Sequence, residues 1–126
     1  MSSTRIALDA MGGDFAPDPN VQGAIQAIDQ TEDLEVILVG DRSVLERQLE
    51  TAGSTSDRIS IVESHGVVGM DEKPIAGIKG KKNSSMSLAL LALKNGEADA
   101  MLSCGNTGCL MAGGAIRLRT LDGVER

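Results

Sequence analysis

The sequence is poor in aromatic residues, since Phe15 is the only one among its 126 residues and neither tryptophan nor tyrosine occurs. Proteins that bind single-stranded nucleic acid usually stack the bases on aromatic side chains, so the composition argues against that class of function. A chain of this length buries about two thirds of the surface that its unfolded form exposes. We therefore expect one aliphatic core and a single domain over residues 1–126.

Positively charged residues are outnumbered, since 12 lysines and arginines stand against 18 aspartates and glutamates. The formal net charge is therefore -6, and the isoelectric point is about 4.7. This charge opposes non-specific attraction to nucleic-acid backbones and to anionic lipid. The lysines that are present include a cluster within ten residues, formed by Lys73, Lys79, Lys81 and Lys82. A small basic patch on an acidic body suits a small anionic ligand better than a nucleic acid.

Cysteine and histidine are too few to build a disulfide framework or a metal site, since the sequence holds two cysteines and one histidine. We therefore expect neither a metal nor a cofactor. No apolar run reaches the roughly 20 residues that span a bilayer, and no signal-peptide core follows Met1, so we expect a cytoplasmic location. Cys104 or Cys109 as a thiol nucleophile and His65 as a general base stay open as weaker alternatives.

Short apolar runs alternate with helical patterns along the chain. Strands are predicted at residues 5–8, 35–39, 58–62 and 100–103, and the segment 67–82 is ambiguous. Helices are predicted from Asp18 as N-cap, from a capping box at Ser43, over residues 84–95 and over residues 106–119. Strands that are apolar on both faces indicate a mostly parallel sheet in a three-layer α/β/α fold. Right-handed crossovers then bring the strand-to-helix loops to one edge, where ligands bind.

Three of these loops have the composition of an anion site. In the loop at residues 12–14, the paired glycines Gly12 and Gly13 permit close approach of backbone to a ligand, although Asp9 and Asp14 fit positioning roles better than anion contacts. Residues 81–85 place lysines and hydroxyls at a helix start, and residues 105–108 place Gly, Asn and Thr at another. Each loop alone is equally compatible with a structural turn. Their expected convergence at one edge of the sheet favours a shared phosphate or oxyanion site.

The same loops resemble a known family. The sequence reads IALDAMGGDF at residues 6–15, KKNSSM at 81–86, GEADA at 96–100 and SCGNTG at 103–108. In order and spacing, these motifs are similar to those of the PlsX family, the bacterial phosphate acyltransferases of phospholipid synthesis. The resemblance covers about the first third of the family's length. It implies transfer of an acyl group from acyl carrier protein to inorganic phosphate on a fold similar to phosphotransacetylases and isopropylmalate dehydrogenases.

The resemblance also implies a homodimer at full length, possible peripheral membrane association, and little or no turnover by this segment alone. We predict three catalytic residues, namely Asn106, Lys82 and Asp14. The predicted phosphate-binding residues are Gly12, Gly13, Lys81, Lys82, Ser84, Ser85, Gly105, Asn106, Thr107 and Gly108. Cys104 and Cys109 stand where the family usually has alanine, which argues against a catalytic thiol. A coenzyme A-dependent enzyme like the phosphotransacetylases and a non-enzymatic phosphate-binding module remain the alternatives.

Overall fold

The computed structural model describes residues 3–71, 73 and 80–124, and within them four strands alternate with four helices. The elements are β1 (Thr4–Asp9), α1 (Asp18–Gln30), β2 (Leu34–Gly40), α2 (Arg42–Thr51), β3 (Ile59–Glu63), α3 (Ser85–Lys94), β4 (Ala100–Ser103) and α4 (Thr107–Arg117). The strands form one parallel sheet in the order β3-β2-β1-β4. The predicted α/β class with a parallel sheet is therefore confirmed, and each element lies close to its predicted position. Residues 72 and 74–79 of the ambiguous segment lie outside the described residues.

One face of the sheet packs against α1 and α2. Leu8 of β1 and Leu38 of β2 are register partners and contribute to this core from the sheet. Val21 and Ile28 contribute from α1, and Leu45 contributes from α2. Val21 and Ile28 are seven residues apart, so they lie on the same side of the helix as their periodicity predicts.

The opposite face of the sheet packs against α3. Ala7 and Val39 alternate with the residues of the first core along their strands, and they contact Ala89 and Ala92 of α3. Small alanines on both sides let the helix lie close to the sheet. A third cluster, which includes Met86, Leu90 and Cys109, packs α4 against α3. Helices thus cover both faces of the sheet, which gives the predicted three layers.

The helix starts differ from prediction at two positions. Pro17, not Asp18, is the N-cap of α1, and no side chain caps that helix, because Asp18 already has helical geometry. Asp41, not Ser43, caps α2, since its carboxylate accepts hydrogen bonds from the Ser43 and Val44 amides. The caps of α3 and α4 are Ser84 and Asn106, the residues at which the two predicted helices begin.

All four strands of the described sheet run in the same direction, so the loops that follow them meet at one edge. The register places Asp9, the last residue of β1, beside Val39 of β2 and Ser103 of β4. The loops at residues 10–17 and 104–106 therefore start side by side. Among the described residues, no helix is long and apolar enough to cross a membrane.

Candidate functional site

The Gly12 loop lies directly against the loop that follows β4. A Cβ atom on Gly12 would lie 2.7 Å from Asp9 Oδ2 and 3.0 Å from the backbone nitrogen of Gly105. Gly13 has a φ of 105°, a conformation that favours glycine, and its Cβ would lie 3.3 Å from Cys104 Cβ. The contact between these two loops thus requires glycine at both positions.

Asn20, in the first turns of α1, holds the Gly12 loop in place. Its Nδ2 donates to the backbone oxygens of Ala10 at 2.8 Å and Gly12 at 2.9 Å. The side chain is buried, so these bonds are shielded from competing water. Sequence reasoning missed Asn20. The feature of the sequence that could have indicated Asn20 is its position as a polar residue next to Val21, at the border of an otherwise apolar helix face.

Asp9 and Ser103 form a second connection between the loops, a pair that the sequence alone does not reveal. Ser103 Oγ donates to Asp9 Oδ2 at 2.8 Å, and the Gly105 amide donates to Ser103 Oγ at 3.1 Å. Asp9 is 1% exposed, and its Oδ1 has no hydrogen-bond partner among the described residues. A buried carboxylate therefore lies directly beneath Gly12 and orders the turn that leads to α4.

The hydroxyls predicted at the start of α3 lie inside the protein. Ser84 and Ser85 are both fully buried. Ser84 Oγ accepts a hydrogen bond from the Ser87 amide at 3.2 Å, as an N-cap does. Ser85 Oγ has no partner within the described part of the chain, although the Ser85 amide donates to the backbone oxygen of Gly66. An orphaned hydroxyl at a helix N-terminus is a group that an added ligand would satisfy.

The predicted charged residues lie at the surface around these buried groups. Lys81 Nζ donates to the backbone oxygen of Val67 at 2.9 Å, which ties the lysine turn to the segment before it. Lys82 and Asp14 are exposed. Of the other lysines in the predicted cluster, Lys73 is exposed and Lys79 lies outside the described residues. Thus Lys82 and Asp14 have room to move toward a ligand.

Asn106 has a defined structural role at the start of α4. Its Oδ1 accepts from the Cys109 amide at 3.0 Å, and its Nδ2 donates to the backbone oxygens of Gly69 at 3.0 Å and Met70 at 3.2 Å. The side-chain amide is thus engaged through both its oxygen and its nitrogen. The backbone N–H groups of Thr107 and Gly108, in the first turn, have no acceptor among the described residues.

The start of α3 lies against the turn before α4. A Cβ atom on Gly105 would lie 3.2 Å from Met86 Cε, so the second residue of α3 touches the third predicted loop. The segment 66–70 bridges the two starts, because Ser85 bonds to Gly66 and Asn106 bonds to Gly69. The predicted convergence of the three loops is therefore present. Two helix N-termini, each the positive end of a helix dipole, meet beside the Gly12 loop.

The weaker candidates lie in different places, since Cys104 is exposed and borders the Gly13 loop, whereas Cys109 and His65 lie elsewhere. Cys109 is buried in the contact between α3 and α4, and neither cysteine forms a disulfide within the described part of the chain. His65 is exposed, and its backbone amide donates to the backbone oxygen of Asn83. Within the described ranges, no three His, Cys, Asp or Glu side chains are grouped so that they could hold a metal. The arrangement favours binding of an anion by helix N-termini, hydroxyls and lysine.

The chain is similar in sequence to bacterial phosphate acyltransferases. It is 46% identical over 127 aligned residues to the phosphate acyltransferase of Vibrio campbellii, a match that covers 100% of this chain and 37% of the relative. It is 47% identical over 122 residues to that of Streptococcus equi subsp. equi, covering 97% of this chain and 35% of the relative. The chain thus spans little more than a third of the length of these curated relatives.

Solved structures share the fold. The phosphotransacetylase from Streptococcus pyogenes superposes with a TM-score of 0.72 at 18% identity, over 98% of this chain and 40% of that protein. The EutD phosphotransacetylase from Staphylococcus aureus gives a TM-score of 0.65 at 15% identity. The predicted likeness to the phosphotransacetylase fold is confirmed. Because the sequence model described as "Fatty acid synthesis protein" matches residues 4–126, nearly the whole chain, this protein belongs to that family, and its relatives above are phosphate acyltransferases.

Proposed function

We propose that this chain forms the phosphate-binding part of a phosphate acyltransferase. The reaction transfers an acyl group from acyl carrier protein to inorganic phosphate, giving acyl phosphate for phospholipid synthesis. The observation that carries the proposal is the meeting of the α3 and α4 N-termini at the contact between Met86 and Gly105, with the orphaned Ser85 hydroxyl at one of them. The reaction is proposed from the sequence similarity of the chain to phosphate acyltransferases.

Phosphate would be held by groups from both helix starts. Ser85 Oγ and the backbone N–H groups of Thr107 and Gly108 lack partners among the described residues and are suited to donate to phosphate oxygens. Lys82 would supply charge, since an ammonium about 4 Å from a phosphate is worth on the order of 4 kcal/mol at intermediate dielectric, before desolvation. Lys81 would fix the turn through its bond to Val67.

The remaining predicted residues would shape and order this site. Gly12, Gly13 and Gly105 allow the loops to approach without side chains between them. Ser84 caps α3 and so holds its N-terminus in position. Asp14 is exposed at the tip of the first loop, where it would position the phosphate through a hydrogen bond from a protonated phosphate oxygen.

The chemistry needs no covalent enzyme intermediate. A phosphate oxygen would attack the thioester carbonyl carbon, the carbon–sulfur bond would break, and the thiolate of the carrier protein would leave and take up a proton. Donors aimed at the tetrahedral oxyanion and the positioning of phosphate would supply the rate enhancement. Asn106 would reach that oxyanion only by releasing Gly69 and Met70. Otherwise it acts by holding the first turn of α4.

Titration of the isolated chain with inorganic phosphate at pH 7 tests the site. Lys82→Ala should weaken phosphate binding roughly tenfold, which corresponds to about 1.4 kcal/mol. Lys94→Ala is the matched control, because it removes the same charge from the last turn of α3, the helix that follows Lys82. Equal affinities for the wild type, Lys82→Ala and Lys94→Ala would contradict the site assignment.

Turnover tests the reaction. We expect little acyl phosphate from the isolated chain, since it spans 37% of the Vibrio campbellii enzyme. Joined to the remaining part of that enzyme, it should form acyl phosphate from phosphate and acyl carrier protein thioesters. Preference for coenzyme A thioesters would favour the alternative function suggested by the shared phosphotransacetylase fold. Phosphate binding without turnover would favour a binding module.

We also propose that the protein is cytoplasmic, that it forms a homodimer at full length, and that it associates peripherally with the membrane.

A further inference from the structure

Asp9 is a buried carboxylate of which one oxygen is hydrogen-bonded and the other is not. Asp9 is 1% exposed, and its Oδ2 accepts a hydrogen bond from Ser103 Oγ at 2.8 Å. Its Oδ1 has no partner among the described residues, and neither ion pair that these residues form includes Asp9. An ionised carboxylate only accepts hydrogen bonds, so Oδ1 needs a donor from outside this set.

The Asp9 carboxylate borders the proposed phosphate site. A Cβ atom on Gly12 would lie 3.1 Å from Asp9 Cγ and 3.0 Å from the Gly105 nitrogen. Backbone without a side chain therefore separates the carboxylate from the turn before α4. The Gly105 amide is also joined to Asp9 through Ser103, because it donates to Ser103 Oγ at 3.1 Å. The carboxylate thus lies beside the helix start at which we place the phosphate.

The other groups of the proposed site are hydrogen-bond donors. Ser85 Oγ and the backbone N–H groups of Thr107 and Gly108 are suited to donate to an oxyanion. Asp9 adds a buried acceptor, so an oxyanion satisfies every group of the site only if it carries a proton. Near neutral pH, inorganic phosphate keeps at least one proton and sulfate keeps none.

We propose that Asp9 makes the site selective for protonated oxyanions, so that it binds phosphate and rejects sulfate. The phosphate hydroxyl donates to Asp9 Oδ1, and the other phosphate oxygens accept from the two helix starts. Sulfate in the same place brings an oxygen without a proton against a buried carboxylate, which weakens binding through repulsion and an unsatisfied acceptor. This role of Asp9 rests on the proposed phosphate site and gives that site its specificity.

Contact between phosphate and Oδ1 requires a shift of the loop that covers the carboxylate. Gly12 lies over Asp9, which is why Asp9 is so little exposed. Gly12 and Gly13 can make this shift at low cost, because neither residue has a side chain that must repack. The same two glycines therefore bring the loops together and give the ligand access to the acceptor.

Other partners and other selecting groups fit these observations less well. Asp14 is exposed, so its oxygens can turn to water when an unprotonated anion binds. A metal ion is not favoured at Asp9, since no three His, Cys, Asp or Glu side chains within the described ranges are grouped to hold one. An ordered water would satisfy Oδ1 with or without a ligand and would remove the selectivity.

Calorimetric titration of the wild type with four anions at pH 8 tests the selectivity. At this pH, phosphate and arsenate are mainly doubly charged and keep one proton, whereas sulfate and monofluorophosphate are doubly charged and keep none. We expect phosphate and arsenate to bind at least about tenfold more tightly than sulfate and monofluorophosphate. Because the charges are equal, the difference measures the effect of the proton. This comparison needs no variant, so it can contradict the proposal even if a substitution at Asp9 prevents folding.

Asp9→Asn tests whether Asp9 is the selecting residue. The oxygen of the asparagine can still accept from Ser103, while its nitrogen donates where Oδ1 accepted. Sulfate should therefore bind at least about tenfold more tightly than it binds the wild type, and the preference for phosphate should fall below about threefold. Asp14→Asn is the comparison and should keep the preference. Circular dichroism establishes that each variant is folded.

The results that would overturn the proposal are distinct from one another. If the wild type binds phosphate and sulfate equally well, the phosphate site stands and Asp9 does not select. If Asp9→Asn keeps the preference, or weakens both anions by the same factor, the role of Asp9 is structural. If Asp14→Asn loses the preference and Asp9→Asn keeps it, Asp14 selects. If the wild type binds none of the four anions, the phosphate site and the role of Asp9 fail together.

Discussion

Ser103 Oγ donates a hydrogen bond to Asp9 Oδ2 at 2.8 Å, across two strand ends that face each other in register. Because Asp9 is 1% exposed and its Oδ1 has no partner in the described part of the chain, this hydroxyl is the main support of a buried carboxylate. Ser103 also accepts from the Gly105 amide. The pair therefore couples a strand end to the turn that starts α4.

Ser103→Ala should lower the free energy of unfolding by about 1–3 kcal/mol, the cost of leaving a buried polar group without its partner. Urea denaturation of the isolated chain measures this change. Ser60→Ala is the control, because Ser60 is an exposed residue of β3, and we expect a change within about 0.5 kcal/mol. A similar loss in both variants would show that Ser103 does not support Asp9.

Alanine substitutions at Gly12 and at Gly23 should change the stability of the fold in opposite directions. A Cβ on Gly12 would lie 2.7 Å from Asp9 Oδ2 and 3.0 Å from the Gly105 nitrogen, so Gly12→Ala should destabilise the fold by about 1–3 kcal/mol. A Cβ on Gly23 meets nothing within 4 Å, and Gly23 lies inside α1. Gly23→Ala should therefore stabilise by roughly 0.5–1 kcal/mol.

Thermal unfolding of the two variants measures the difference. Phosphate titration adds a second readout, because a shifted Gly12 loop should also weaken phosphate binding, whereas Gly23→Ala should leave it unchanged. If Gly12→Ala is as stable as the wild type, the close approach of the Gly12 and Gly105 loops does not exist in solution.

The strands and the convergence of loops were predictable because local patterns encode them. Runs that are apolar on both faces specify buried parallel strands, and the fixed handedness of the crossovers brings the following loops to one edge. Ser84 and Asn106 were also predictable as caps, because each is a strong N-cap residue directly before an apolar helix. These features depend on residues near each other in sequence.

The details that were missed depend on residues far apart in sequence. Asp9 and Ser103 are separated by 94 positions, so only the register of β1 with β4 reveals the pair. Asn20 looks like an ordinary helix residue until its bonds to the Gly12 loop are seen. The cap of α2 was misplaced because Asp41 and Ser43 are both good caps, and only the backbone geometry at Asp41 decides between them.

Variants of Asn106 should separate the role of its side-chain oxygen from that of its side-chain nitrogen. Asn106→Asp keeps an oxygen for the Cys109 amide but loses the donor to Gly69 and Met70, whereas Asn106→Ala loses both. We expect Asn106→Ala to cost about 0.5–2 kcal/mol through the lost cap alone, and more through the lost hydrogen bonds to the backbone oxygens of Gly69 and Met70. Amide exchange of the first turn of α4 should be faster in Asn106→Ala than in Asn106→Asp. Equal exchange in the two variants would contradict the capping role.

Acid should destabilise the chain through two carboxylates with lowered pKa values. The hydrogen bond from the Arg5 side chain, and then that from its backbone amide, lowers the pKa of Asp99 below 3.8. The Ser43 hydroxyl, followed by the Val44 amide, lowers the pKa of Asp41 in the same direction. Both carboxylates thus bind protons less readily when the chain is folded than when it is unfolded.

The sign of the pH dependence follows from linkage. A carboxylate with a lowered pKa in the folded state stabilises that state above its unfolded pKa, and the stabilisation is lost as the pH falls through the folded pKa. The free energy of unfolding should therefore decline as the pH drops below about 5, where Asp side chains of the unfolded chain begin to protonate. Asp99→Asn should make this decline shallower, because the partner of Arg5 no longer titrates.

Asp57→Asn is the control, since Asp57 is exposed and makes no ion pair among the described residues. Urea denaturation over a series of acidic pH values measures the slopes, and equal slopes in the wild type and Asp99→Asn would show that the pairing with Arg5 does not persist in solution.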